Sequence, residues 1–149
     1  VSEPGPVLVD TDVFSHLFIR SPSAATDLDA QWRLTLRGRR AIISFQTRTE
    51  VLQGAVAAGW GQTRYVRVRS ILDETPTIGV DNAVIDAHAQ LFAECRRSGH
   101  PLQSKLHTGD RWVAACAIPK DVPILAVDRI YQNAPRLELA TNWSTTNDV

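Results

Sequence analysis

Four acidic residues stand at positions where carboxylates can do chemistry together. Asp10 ends the run PVLVD (6–10), and Asp128 ends VPILAVD (122–128). Glu50 lies about one turn into QTRTEVLQGAVAAG (46–59), and Asp110 sits in the first turn of TGDRWVAACAI (108–118). Taken singly, each has an ordinary explanation, because an Asp at a helix start caps it and a Glu on a helix is solvated. Their surroundings say more. Asp10 and Asp128 follow strongly apolar runs, and Asp110 precedes a segment so apolar that it must be largely buried. Ionised groups this close to a core need a partner. Arg48, Arg111 and Arg129 are close in sequence and can serve, and so can a divalent cation. If the four acids meet at about 5 Å, each pair repels by roughly 3 kcal/mol at an effective dielectric near 20. Such a cluster makes sense around Mg²⁺ or Mn²⁺, hard cations that take oxygen ligands and favour phosphate as a co-ligand. The chemistry implied is metal-assisted phosphodiester hydrolysis.

These acids can meet only if the right elements carry them. PVLVD and AIISF (41–45) read as buried strands, TIGV (77–80) as a short third, VPILAVD as a fourth and LELAT (137–141) as a fifth. Helices are expected at 11–19, at 27–36 with Leu28, Trp32 and Leu36 on one stripe, and at 46–59, 62–73, 81–99 and 108–118. SPS (21–23) breaks the first of these, Gly38 ends the second, and Asp81 and Gly99 bound the long one. Strands that alternate with helices argue for a three-layer α/β/α sandwich with a mainly parallel sheet. Ligands of such sheets sit beyond the carboxyl ends of the strands, where Asp10 and Asp128 are expected to project.

The chain has 149 residues, which fits one domain over 1–149 with an ordered core from about 7 to 141. Residues 1–6 and the polar tail from Ser144 are expected to fray. No apolar run approaches the roughly 20 residues of a membrane span. The start, VSEPGPVLVD, lacks a signal-peptide pattern, although it also lacks an initiator Met, so a cytoplasmic location is expected. Cys95 and Cys116, the only cysteines, lie among apolar neighbours and read as buried free thiols. Sixteen basic residues balance sixteen acidic ones, which is not the footprint of a general nucleic-acid binder. Fourteen of the basic residues are Arg, however, the side chain suited to forked phosphate contacts.

VDTDVFSHLF, SFQTRTEVLQGA, GDRWVAACAI and ILAVDRIYQNAPRLEL, in this order and spacing, resemble the four motifs of PIN domains. The resemblance covers about residues 7–140. It implies that Asp10, Glu50, Asp110 and Asp128 are metal-binding and catalytic acids, supported by Thr11. The small bacterial members of that family are largely VapC-type endoribonuclease toxins. The resemblance therefore also implies an RNA substrate, a neutralising antitoxin partner and a homodimer. Two departures stand out. Asp12 replaces a common Asn and adds a possible fifth carboxylate, and Ala126 replaces a usual Thr or Ser. PLQSKLHTGDRW is longer than in the shortest relatives and brings Lys105 and His107 toward the crevice, where a solvated loop is the plainer expectation. Arg64, Arg67 and Arg69 resemble a substrate-binding edge, and a solvated helix face is an equal reading. Trp32 and Trp60 are candidates to face an antitoxin or second subunit, with core packing the plainer fate of each.

Two other classes fit parts of the pattern. VLVDTDVF also fits the first motif of haloacid-dehalogenase-type phosphatases, with Asp10 as nucleophile, Asp12 as acid/base and Ser44 imitating the second motif. That reading lacks a later acidic pair and leaves Glu50 without a role. A degenerate PIN domain that binds RNA or a partner without cutting is the other, and Ala126 is the feature that favours it.

Overall fold

Apolar β-branched runs between helix caps dictate the centre of this molecule. In the computed structural model, which describes residues 4–20 and 27–140, four short strands form one parallel sheet in the order β3-β2-β1-β4. They are β1 (Val7–Val9), β2 (Ala41–Ser44), β3 (Thr77–Ile78) and β4 (Ile124–Leu125). Every residue of β1 is buried, as a central strand covered on both faces requires. Side chains alternate between the faces. Leu8 and Ile124 join the layer of α5 (Asn82–Ser98) and α6 (Thr108–Ala117), and Val7, Val9, Ile43 and Leu125 join the opposite layer. That second layer is built by α1 (Thr11–Phe14), α2 (Asp27–Leu36), α3 (Phe45–Ala57) and α4 (Gln62–Glu74). The α/β/α sandwich expected from the alternation of elements is the observed fold.

The helices start and stop where the side chains say they should. The Asp81 carboxylate accepts from the Val84 N–H (2.9 Å) and begins α5, and Gly99 ends it in a left-handed conformation (φ 73°) that L residues rarely adopt. Buried Ser44 does the same for α3, accepting from the Thr47 N–H (3.0 Å). Helix α5 packs its Val84–Ala87–Leu91–Cys95 face on α6. Leu91 is fully buried there, and burying a side chain of this kind stabilises by about 2 kcal/mol.

Several expectations needed correction at the edges. The strands are shorter than the apolar runs: Ala126 is fully buried yet lies beyond β4. The fifth strand reduces to a single bridge between Leu139 and Ile124. The helix over 11–19 changes to a π turn at Ser15–Ile19. In α2, Trp32 is buried and Leu36 packs beside it, but Leu28 is 45% exposed. The inner position instead goes to Asp29, paired with His16 Nε2 at 2.6 Å. The break at 21–23 and the tail from Ser144 lie outside the described residues. Cys95 and Cys116 are buried free thiols, and burial pushes the Cys116 thiol up to about 12. No helix among the described residues is long and apolar enough to cross a membrane.

Candidate active site

Asp10 follows β1 directly and caps α1, its Oδ1 accepting from the Thr11 N–H at 2.8 Å. The chain leaves a central strand here, so the carboxylate starts life at the carboxyl edge of the sheet and under cover: Asp10 is only 6% exposed. Burial is the main reason its carboxyl is pushed up to about 7, and the charges of Asp110, Glu50 and Asp12 push the same way. The Thr11 N–H opposes them. Three residues far apart in sequence, Asp10, Glu50 and Asp110, thus feel one another electrostatically in the folded chain.

Glu50 reaches this place from α3, nearly two turns after the Ser44 cap. Gln46 Nε2 donates to its Oε1 at 3.2 Å, and the Thr11 hydroxyl donates to its other oxygen. Thr47, fully buried, lies 3.0 Å from the same Thr11 hydroxyl. Thr11 is therefore a bridge, with its backbone on Asp10 and its side chain on Glu50.

Asp110 arrives in the first turn of α6, where a carboxylate also benefits from the helix dipole. Its two oxygens have different partners. His107 Nδ1 donates to Oδ2 at 2.8 Å, and the Tyr131 hydroxyl donates to Oδ1 at 3.3 Å. A Cβ on Gly109 would come within 2.9 Å of Gln46 Nε2 and 3.2 Å of Glu50 Oε1, so the start of α6 lies close against the polar ends of two α3 side chains.

The remaining predicted residues lie further out. Asp128 is exposed, its Oδ1 accepts from the Ile130 N–H (2.9 Å), and it is absent from the charges that raise Asp10. Asp12 is exposed on α1 and acts on Asp10 through its charge. Arg111 turns inward. It is 5% exposed, its guanidinium donates to the carbonyls of Leu102 and Ser104, and it thereby holds the 101–107 loop. Arg48 pairs with Asp73 and the Leu72 carbonyl. Lys105 is exposed on the loop, and His107 alone of that segment contacts one of the acids. Arg67 is exposed, and Arg69 pairs with Asp73 at 3.6 Å. Trp32 belongs to the core. Trp60 sits between α3 and α4 with the Arg64 guanidinium 3.6 Å from its ring centroid. An open groove of about 250 Å³ runs from Glu50 past Ser15 and Arg20 to Trp60 and Arg64.

The site is rich in oxygen donors and poor in nitrogen, the donor chemistry of a hard cation. Among the described residues no three His, Cys, Asp or Glu side chains are close enough to form a ready-made cage, and Thr11 stands between Asp10 and Glu50. Ser44 spends its hydroxyl capping α3, so it is not offered to a phosphate. Gln46, Gly109 and Tyr131 were not foreseen. The signal for Tyr131 was slight: a tyrosine three residues after a strand-end acid, whose hydroxyl needs a partner once buried.

Comparison with known proteins bears on this geometry. A family model described as the PIN domain matches residues 7–137. VapBC2 from Rickettsia felis, solved bound to a DNA fragment from its promoter, superimposes with a TM-score of 0.71 at 15% identity, covering 92% of this chain and 98% of that one. DNA-bound VapBC from Salmonella typhimurium gives 0.69 at 17% identity, covering 90% and 96%. VapBC-5 from Mycobacterium tuberculosis gives 0.60 at 21% identity, covering 91% and 98%. Identities this low speak for the fold alone. No curated protein matches the chain by sequence. The family match takes in the segments that carry all four acids, and with it the chain belongs to the PIN-domain family.

Proposed function

We propose that this protein is a divalent-cation-dependent endoribonuclease and the toxin half of a VapBC-type toxin–antitoxin pair. The observation that carries the reading is the electrostatic convergence of Asp10, Glu50 and Asp110 from β1, α3 and α6. At neutral pH an enclosure that holds the Asp10 carboxyl near 7 resists a bare negative charge. A dication reverses that preference, which is the fit between this donor set and Mg²⁺ or Mn²⁺. Asp10, Glu50 and Asp110 would hold the ion, and exposed Asp128 stands outside that set as the cap of the turn after β4. When bound, the ion supplies Lewis-acid chemistry, activating water and taking up charge on the departing oxygen. The chain's own residues do the rest. Thr11 fixes the spacing of Asp10 and Glu50, Gln46 orients Glu50, and His107 holds one oxygen of Asp110. Arg20 and Arg64, along the groove that begins at Glu50, orient the RNA backbone, and phosphate contacts of this kind position without reading sequence.

The partners follow the family. Solved structures of similar fold are VapBC toxin–antitoxin complexes, which supports an antitoxin partner. Apolar side chains left exposed, among them Val56 (68%) and Val66 (52%), offer surface to that antitoxin or to a second copy in a homodimer. The protein would work in the cytoplasm, where RNA is. A second reading, a PIN domain that binds RNA without cutting it, draws on the lack of a preassembled three-ligand cage among the described residues.

The test is cleavage of purified cellular RNA with Mg²⁺, with EDTA, and with the Asp10→Asn variant. The expected result is cutting by the wild type in Mg²⁺ only. Cutting that survives EDTA or Asp10→Asn contradicts the assignment, and RNA binding without cutting selects the second reading.

A further inference from the structure

Tyr131 is fully buried against the apolar layer of α5 and α6, and its hydroxyl reaches one of the acids. It donates to Asp110 Oδ1 at 3.3 Å, and the Asp10 carboxylate is near enough to act on it through its charge. A neutral hydroxyl has one proton to give, and here Asp110 receives it. The segment behind it is short. Asp128 caps a 3-10 turn, Arg129–Tyr131, by accepting from the Ile130 N–H at 2.9 Å, and the turn ends on Tyr131. The exposed fourth acid thus holds the turn that delivers a buried hydroxyl to the other acids.

We propose that Tyr131 is a positioning residue: its hydroxyl orients Asp110 for a divalent cation shared with Asp10, while Asp128 acts on the site through the turn that carries Tyr131. This rests on the cation reading above. The hydroxyl contributes no ligand charge. It orients the ligands, as groups that hydrogen-bond metal-bound carboxylates commonly do, and losing such a group costs about 10- to 100-fold in metal affinity. The Asp128 part makes a separate claim about chemistry. Asn caps a turn as well as Asp does, and Ala does not.

The experiment is calorimetric titration of Mn²⁺ into the metal-free protein. We expect Tyr131→Phe to weaken binding about tenfold, Asp128→Ala to weaken it measurably, and Asp128→Asn to leave it within about threefold of wild type. Leu91→Val, which trims the core away from the acids, controls for general destabilisation and should leave the affinity alone. Failure of the wild type to bind Mn²⁺ overturns the cation reading and this proposal together. Wild-type affinity in Tyr131→Phe overturns the role of Tyr131 alone, and equal loss in Asp128→Asn and Asp128→Ala overturns the capping role. Should Tyr131→Phe fail to fold, the wild type made with 3-fluorotyrosine answers the question, since its two tyrosines give two fluorine resonances. Saturating Mg²⁺ should shift the resonance of Tyr131 and leave that of Tyr65. An unmoved Tyr131 resonance contradicts the proposal.

Discussion

A carboxylate that is 6% exposed and surrounded by other carboxylates is an uncomfortable resident of a fold, and its discomfort is measurable. Burial, above all, holds the Asp10 carboxyl at about 7 in the folded chain, against 3.8 for an ordinary Asp. The folded chain therefore holds that proton more tightly than the unfolded chain does. Its contribution to stability is complete below pH 4 and is lost as pH rises toward 7. The size is of the order of 4 kcal/mol at most, taking about 1.4 kcal/mol per pKa unit. Melting the metal-free protein in EDTA from pH 4 to pH 8 should show this decline, other groups adding to it, and Asp10→Asn should flatten it. The same variant should melt higher than wild type at pH 8 without metal and cut RNA at least about a hundredfold more slowly. A variant that unfolds would make Asp10 a structural residue. Asp10, Glu50 and Asp110 were legible in the sequence because strand ends and helix starts have fixed places in a parallel sheet. Tyr131 and Gln46 were not, because nothing in local sequence says which buried hydroxyl or amide will meet a carboxylate more than one element away.

At the scale of elements, caps and apolar periodicity located the helices to within a residue or two. They did not limit the strands: Ala126 is buried beyond the end of β4, and among the described residues the run from Leu137 pairs through the Leu139–Ile124 bridge. Nor did they foresee how closely Gly109 of α6 approaches the Gln46 and Glu50 side chains of α3. Gly109→Ala should separate stability from site geometry. Alanine favours a helix by up to about 1 kcal/mol, so the melting temperature should change by only a few degrees. The new Cβ must displace Gln46 and crowd Glu50, so Mn²⁺ affinity should fall about tenfold, read by calorimetry. Unchanged affinity would show that the Gln46 side chain moves aside at no cost to the site. Arg111 was expected among the supports of the acids. It feels the Asp110 charge and also clamps the 101–107 loop, where its guanidinium satisfies two carbonyls at once. Arg111→Met should leave those carbonyls short of donors and cost roughly 2–3 kcal/mol, seen in urea melts and in faster amide exchange along the loop.

For the molecule as a whole, zero net charge sets the style of any contact with RNA. A few arginines beside the groove that begins at Glu50, rather than a basic face, should give a shallow salt dependence. Single-strand binding measured by anisotropy should follow a log–log slope of about −2 to −3, the release expected of roughly three or four phosphates. A slope steeper than about −6 would point to a basic surface elsewhere. The PIN-domain family match and the sandwich fold stand independently of any such number. What depends on measurement is the bond between fold and chemistry. Mn²⁺ titrated calorimetrically at neutral pH into wild type, Asp10→Asn, Glu50→Gln and Asp110→Asn tests it most directly. The account predicts uptake by the wild type and at least roughly tenfold weaker binding in each variant. No uptake by the wild type, or equal affinity in all four proteins, would contradict it.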